Sequence, residues 1–375
     1  MNSSTGSQNI QNSRWQAVNP GSNKVLQCYQ SDAFLPFHSL HQRHNHKCKM
    51  DWNKYYLQSR LGEYNILHNA GRLFQQYVVD QYARIDQERL SYFRFHQKKI
   101  RCELYSGLED HLAANDANRV GKRTILPSSY IGGPRNMSAN YQDSMAMVRK
   151  YGKPDLFITM TCNPKWEEIQ NELKPHQKAE DRPDLVARIF KLKVDELIHE
   201  IKCGIFGEIN AYSYTIEFQK RGLPHLHLMV ILKSKQKILS NPDDFVSAEI
   251  PDADQSPILY DYVSKHMIHG PCGTLNRNSP CMQEQKCAKE FPKLFIPETV
   301  IPDDGYIQYR RRQDGKTIRK NLSGGRIVTV DNRWVVPYNP YLLKRFNSHI
   351  NVEICSTVMA VKYSLSGQNV TKNFQ

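Results

Sequence analysis

The stretch Tyr212–Leu232 is YSYTIEFQKRGLPHLHLMVIL, and the interpretation of the whole chain depends on it. Both of its ends are rich in aromatic and aliphatic residues, and KRGLP separates them, so the pattern predicts two strands joined by a short turn. His225 and His227 are two positions apart and therefore point to the same face of the second strand. Glu217 lies on the first strand, where cross-strand pairing can place its carboxylate beside the two imidazoles. Two histidines and a glutamate suit a divalent metal ion and leave coordination positions open for a substrate.

Other interpretations of this hairpin have to be weighed against a metal site. Gln219 shares a face with Glu217 and is an alternative ligand. A bare His-x-His more often belongs to an ordinary strand. A cupin-like site needs a glutamate shortly after the second histidine, where residues 230–232 are Val, Ile and Leu. A histidine-triad site needs a third histidine at the position of Met229.

Five blocks of this sequence resemble one known family. A glutamate followed on the next strand by histidine, a hydrophobic residue and histidine resembles the HUH superfamily of rolling-circle replication initiators and relaxases. Residues 217–227 are similar to the signature block of the Helitron transposase N-terminal domain. Four further blocks follow the order of that family: GGPR at 132–135, KPDLFITMTCNP at 153–164, HGPCG at 269–273 and DNRWVVPYNP at 331–340. One block could arise by chance but five in order could not, and together they span roughly residues 50–363.

The resemblance implies an α+β fold, in which the antiparallel, ferredoxin-like sheet of an HUH endonuclease has flanking helices. The residues agree with this expectation. Residues 156–161 alternate as a strand, and residues 184–203 have the spacing of an amphipathic helix. With the hairpin, the order is strand, helix, strand, turn, strand, which suits a sheet with helices on one face.

The resemblance also implies a reaction. His225, His227 and Glu217 would hold Mg²⁺ or Mn²⁺, and the imidazoles favour Mn²⁺. Tyr363, which follows Lys362, would attack a phosphate of single-stranded DNA and form a 5′-phosphotyrosine link. The expected function is that of a Helitron-type rolling-circle transposase fragment, which nicks single-stranded DNA and transfers the strand in the nucleus.

Two features depart from the family pattern. Gly367 stands where a second tyrosine is expected, four residues after Tyr363. The helicase domain that follows in full-length Helitron proteins is missing from this sequence, so we expect a truncated or decayed copy, or a gene model that stops at an exon edge. The alternative function is therefore that of a catalytically decayed, Helitron-derived DNA-binding protein.

Composition and periodicity divide the chain into three parts. Residues 1–49 are rich in Ser, Asn and Gln and then in His, which predicts a disordered basic arm. Residues 50–145 have helical spacing, interrupted at Gly71 and by a loop at 119–137, and predict a helical N-terminal subdomain. Residues 146–375 form the predicted Rep/HUH endonuclease-like domain, with a Cys-rich insertion at about 266–300.

The charge of the chain favours an acidic partner. Lys and Arg number 51 against 37 Asp and Glu, which gives a net charge of +14. A soluble basic protein without nucleic acid would look similar, and the resemblance favours nucleic acid. Residues 303–336 alternate as strands, with hairpin-turn signals at Asp304-Gly305 and Asp314-Gly315, and a run of arginines precedes the second of them. The candidate phosphate contacts are Arg135, Lys220, Arg221, Arg310, Arg311 and Arg312.

A second group of metal ligands follows the hairpin. His269, Cys272, Cys281 and Cys287 occur within 19 residues and predict a structural Zn²⁺ site. His266 is an alternative fourth ligand, and the other interpretation is three reduced thiols without a metal. The chain has nine cysteines, an odd and irregularly spaced set that indicates a reducing compartment instead of a disulfide framework.

Several classes of protein are excluded. No apolar run is long enough to span a membrane, and the polar N-terminus does not have the features of a secretory signal. Gly315-Lys316-Thr317 is similar to the end of a P-loop, but Arg310 stands where the motif requires glycine. We therefore expect no nucleotide-binding site in this fragment.

Overall fold

The computed structural model describes residues 49–60, 62–100, 124–219, 222–234, 236–302, 307–322 and 325–355. Several predictions fall outside these residues. They are the basic arm up to residue 48, the contacts of Lys220 and Arg221, the turn at Asp304-Gly305 and the helix that would hold Tyr363.

Helices and strands alternate through the described chain. The helices are α1 (Lys49–Leu57), α2 (Arg72–Phe95), α3 (Pro134–Tyr151), α4 (Glu167–Gln170), α5 (Pro183–Lys202), α6 (Gln236–Ser240), α7 (Pro242–Phe245), α8 (Pro257–His266) and α9 (Pro340–Phe346). The strands are β1 (Leu156–Thr161), β2 (Ile209–Phe218), β3 (Pro224–Leu232), β4 (Met282–Gln283), β5 (Lys286–Cys287), β6 (Ile318–Asn321), β7 (Ile327–Val330) and β8 (Ile350–Ile354). None of the helices within the described ranges is long and apolar enough to cross a membrane.

Four strands form the central sheet, in the order β2-β3-β1-β8. Each neighbouring pair is antiparallel. The predicted hairpin of β2 and β3 is thus present. Strand β1 pairs with β3, and β8, the last described strand, pairs with the other edge of β1. The fold combines helices with an antiparallel sheet, which agrees with the predicted α+β class.

One face of the sheet is packed into the main hydrophobic core. Strand residues at alternate positions, such as Ile158, Leu228 and Val352, are almost fully buried on it. The helix α5 belongs to the same core through a stripe at helical spacing: Phe190, Val194, Leu197 and Ile201. Fully burying one such side chain contributes about 1.5–3 kcal/mol, so this face fixes the strands firmly.

The opposite face is only partly covered. Met229 of β3 is buried there against Phe157 of β1 and against Met145 and Val148 of α3. His225 is four residues from Met229 on the same strand and face, which is about 13 Å along the strand. The helix α3 therefore packs over one part of this face, and the two histidines lie towards its other end.

The N-terminal helices join the main core. Gly71 has a positive φ of 54° and precedes α2, so it separates the helical segments as predicted. Leu57, Phe74 and Val78 belong to the same hydrophobic cluster as the central sheet. The boundaries between the predicted domains stay a prediction, and α3 extends across the one at residue 145.

Two predicted local features are wrong. The loop expected at 119–137 ends earlier, because α3 begins at Pro134, a residue suited to the first helical turn. The turn signal Asp314-Gly315 does not join two strands, since the hairpin runs from β6 to β7 across residues 322–326. The Asp314 carboxylate instead accepts hydrogen bonds from the Lys316 backbone and the Asn332 side chain.

Candidate metal centres

Pairing within the sheet places the first group of candidate ligands on one face. Glu217 of β2 lies directly opposite His225 of β3, and Thr215 lies opposite His227. On the other side of β3, Thr161 of β1 pairs with His225. Directly opposite residues of antiparallel strands share a face, so the carboxylate, both imidazoles and the two threonine side chains lie on the same face of the sheet.

The distances bring the three predicted ligands together. The Nε2 atom of His227 is 3.0 Å from Oε1 of Glu217, and the rings of His225 and His227 have centroids 4.6 Å apart. One ligand atom from each of the three residues lies within 4.8 Å of the others. The side chains of His227 and Glu217 are 18% and 17% exposed, so an ion held here would be reached from solvent. The set is chemically suited to a divalent ion with positions left open.

Neighbouring groups orient the imidazoles. The Oγ1 atom of Thr161 is 2.7 Å from Nδ1 of His225, which leaves Nε2 of that ring for another partner. Phe157 stacks on His227, with centroids 5.7 Å apart. The Nδ1 atom of His227 is buried and has no hydrogen-bond partner among the described residues. Thr161 is a candidate positioning residue that the sequence alone does not reveal, because its contact with His225 depends on the pairing of β1 with β3.

Electrostatics keep His225 in the form that binds metals. Burial lowers the pKa of His225 well below its usual value, and the nearby His227 and His349 lower it further. A neutral imidazole has the lone pair that a metal ion needs. Gln219, the alternative ligand, follows the end of β2, where its backbone N–H donates to the carbonyl of Leu223.

The comparison with family models identifies the domain that contains this group. A model described as the Helitron helicase-like domain at the N-terminus matches residues 52–230. These residues are a Helitron helicase-like domain. The match includes the GGPR block, β1 and the hairpin with Glu217, His225 and His227. No curated protein matches the chain.

The second group of ligands follows the Helitron helicase-like domain in the sequence. One ligand atom each from His269, Cys272, Cys281 and Cys287 lies within 4.8 Å of the others. The Sγ atom of Cys287 is 3.4 Å from Nε2 of His269. His266, the alternative ligand, instead has its Nε2 atom 2.9 Å from the side-chain oxygen of Asn347. The described part of the chain therefore contains two groups that could hold a metal ion.

The candidate phosphate contact Arg311 is wrong. Its side chain is 3% exposed, and its guanidinium donates to the backbone carbonyls of Ala248, Asn332 and Val335. Burial lowers the pKa of Arg311 to about 10, so the group stays charged at neutral pH inside the protein. All three carbonyls accept from the same nitrogen, Nη1, so they anchor the buried guanidinium to the segments of Ala248, Asn332 and Val335 and hold it away from the surface.

The flanking arginines are nearer to the surface and already have acidic partners. Arg310 lies 3.0 Å from Asp243, and Arg312 forms a paired contact with Glu249 through Nε and a terminal nitrogen. Arg135 is the second residue of α3 and is partly exposed. These three stay candidate DNA contacts.

Proposed function

We propose that this chain is a metal-dependent nickase and strand transferase of single-stranded DNA, of the Helitron rolling-circle type. The observation that supports it most directly is the group Glu217, His225 and His227, which is partly exposed on the sheet face of a Helitron helicase-like domain. The strand order and the antiparallel pairing are those expected for the ferredoxin-like sheet of an HUH endonuclease. The family also suggests that the protein acts in the nucleus.

Glu217, His225 and His227 would hold the ion, and their chemistry fits Mg²⁺ or Mn²⁺, with the two imidazoles favouring Mn²⁺. When bound, the ion would polarise the scissile phosphate and stabilise negative charge on it. Thr161 holds His225 through Nδ1, so the other ring nitrogen keeps a fixed direction. Glu217 supplies a negative charge that partly neutralises a bound cation.

Tyr363 would be the nucleophile. Its phenolic oxygen would lose a proton and attack the phosphorus atom, and the 3′-oxygen of the preceding nucleotide would leave and take up a proton. The products are a 5′-phosphotyrosine and a free 3′-hydroxyl. Because the phosphotyrosine remains an ester, a second 3′-hydroxyl can displace the tyrosine and complete strand transfer without ATP.

The distance from the end of β8 to the histidines can be compared with the length of the segment that leads to Tyr363. Ile354 pairs with Leu156, and His225 pairs with Thr161, so the two ends are five residues apart along β1, about 17 Å. Nine residues lead from Ile354 to Tyr363. They can span about 30 Å when extended and about 14 Å as a helix. An extended or partly helical segment is therefore long enough to return to the histidines, whereas a fully helical one falls about 3 Å short before the tyrosine side chain is counted.

The test is incubation of the purified chain with labelled single-stranded DNA and Mn²⁺, followed by a denaturing gel. We expect a covalent protein–DNA adduct that disappears in Tyr363→Phe and falls at least 100-fold in His227→Ala, because each removes a group required in the reaction. Tyr341→Phe and His176→Ala are matched controls, since both residues are exposed and lie outside this group.

A different result would support the alternative function. Binding of varied oligonucleotides without adduct or cleavage, with either ion, would overturn the nickase. It would favour a catalytically decayed, Helitron-derived DNA-binding protein, for which Gly367 in place of a second tyrosine is the supporting observation.

A further inference from the structure

The four residues His269, Cys272, Cys281 and Cys287 have the arrangement of a closed metal site. A tetrahedral Zn²⁺ ion has Zn–S distances of about 2.3 Å and Zn–N distances of about 2.0–2.1 Å, which places its ligand atoms about 3.5–3.8 Å apart. The four candidate atoms lie within 4.8 Å of one another, and Sγ of Cys287 is already 3.4 Å from Nε2 of His269. Only small movements would complete the tetrahedron.

The surroundings of the thiols suit metal-bound thiolates. Cys272 and Cys287 are 1% and 9% exposed. The backbone N–H of Lys289 donates to Sγ of Cys287 over 3.4 Å, and Ser279 Oγ lies 3.4 Å from Sγ of Cys281. None of the three thiols forms a disulfide in the described part of the chain. Hydrogen bonds of this kind around ligand atoms are the usual second layer of a metal site.

The ligand loop is also shaped to hold its first two members. The ring of His269 stacks on Phe291 with centroids 4.1 Å apart and an interplanar angle of 15°. Gly270 has a φ of +78°, and a Cβ atom there would lie 2.7 Å from the backbone nitrogen of Cys272. Glycine is therefore required between these ligands for the tight turn that brings them together.

The segment that contains the ligands has little regular structure of its own. Between the end of α8 and residue 302 the described strands are β4 and β5, of two residues each, and isolated β-bridges occur at Ile268, Ile296 and Val300. It is attached to the 3₁₀ turn Asn332–Trp334, because the N–H of His269 donates to the Trp334 carbonyl and the N–H of Lys293 donates to the Arg333 carbonyl. A metal ion would bring the remaining loops into the same folded unit.

We propose that His269, Cys272, Cys281 and Cys287 bind a structural Zn²⁺ ion, which ties together the loops of the segment that His269 and Lys293 attach to the 3₁₀ turn Asn332–Trp334. Three thiolates and one imidazole favour Zn²⁺ over Mg²⁺ or Mn²⁺. Four protein ligands leave no position for a substrate, so the ion has no catalytic role. On binding, each thiol loses its proton to solvent and the ion remains Zn²⁺, so no redox partner is needed.

This site is separate from the one used in the proposed reaction, and the experiment is designed to distinguish them. Tag-free protein is expressed with added zinc and dialysed, and its metal content is measured by mass spectrometry. We expect about one zinc per chain, retained in His227→Ala. Cys281→Ser and Cys287→Ser should fall below about one fifth of that content. Cys203→Ser is the matched control, because Cys203 is exposed and lies outside the group.

A second measurement on the wild-type chain covers the case in which the cysteine variants do not fold. An organomercurial that reacts with thiols should release the zinc, and a metal-sensitive dye detects the released ion. Three cysteines should react for each zinc ion released. The proposal is overturned if the wild-type chain retains no zinc. It is equally overturned if zinc is lost in His227→Ala but kept in Cys281→Ser, since the ion would then be an adventitious occupant of the sheet.

Discussion

The two groups of candidate metal ligands lie on different kinds of structure, one on paired strands and the other on loops. Glu217, His225 and His227 lie on β2 and β3, whose backbone hydrogen bonds and buried opposite face hold the side chains in place. The other group lies on loops joined by two strands of two residues each. The first arrangement is set by the fold itself, and the second, in our proposal, depends on an ion for much of its order.

The two groups also differ in the number of ligands that they offer and in their exposure to solvent. The sheet group offers three ligands, is partly exposed and leaves positions open, which suits an ion that meets a substrate. The loop group offers four ligands, two of them on buried cysteines, which suits an ion that stays in the protein. On our proposals, the rigid sheet supports an exchangeable ion, whereas the loop segment holds a permanent one.

The largest expected effect comes from removing metal from the whole protein. Structural zinc contributes on the order of 10 kcal/mol to the folding of its segment, so a strong chelator should expose the loops around Cys281 and Cys287 to exchange. The amides of β1 and β3 should keep their protection. Hydrogen exchange followed by mass spectrometry measures both regions in one sample. Equal loss of protection in the sheet would contradict the difference between the two groups.

A smaller effect is expected from Leu228→Ala. Leu228 is 1% exposed and lies on the core face of β3, opposite to the histidines. A cavity there should lower the free energy of unfolding by about 3 kcal/mol, measured by urea denaturation. The zinc content of the loops should not change. Leu192→Ala is the control, because Leu192 is 62% exposed on α5 and should change stability by less than about 0.5 kcal/mol.

The smallest effect is expected from Thr161→Val, which keeps the shape of the side chain and removes the hydroxyl beside His225. The affinity of the sheet group for Mn²⁺ should fall about 10-fold, as measured by calorimetry, because loss of an outer hydrogen bond frees the imidazole. Thr159→Val is the matched control, since Thr159 lies on the same strand opposite His227. An equal loss in both variants would show that the contact between Thr161 and His225 does not position the ligand.

The sequence predicted the local part of this structure well. The alternation at 224–232 and the turn before it place His225 and His227 on one face beside Glu217, because hairpin geometry is determined by neighbouring residues. The contact of Thr161 with His225 could not be predicted, since it depends on a pairing between strands 64 residues apart.

The arginine run shows that composition alone does not predict which charged side chains are exposed. Charge alone places Arg310, Arg311 and Arg312 together at the surface. The chain there is extended, so alternate side chains point to opposite sides, and the middle guanidinium is buried among carbonyls from distant segments. The alternation was visible in the sequence, but the three acceptors were not.

The late position of β8 has a consequence for synthesis of the chain. Ile350 follows its partner Met160 by 190 positions, whereas β2 and β3 complete their own pairing by Leu232. A ribosome adding about 5–20 residues per second needs about 6–24 s to make the 122 residues from there to Ile354. During that time the outer edge of β1 lacks its partner strand. This interval is when the nascent chain most needs protection by chaperones, because an open edge can pair with other chains.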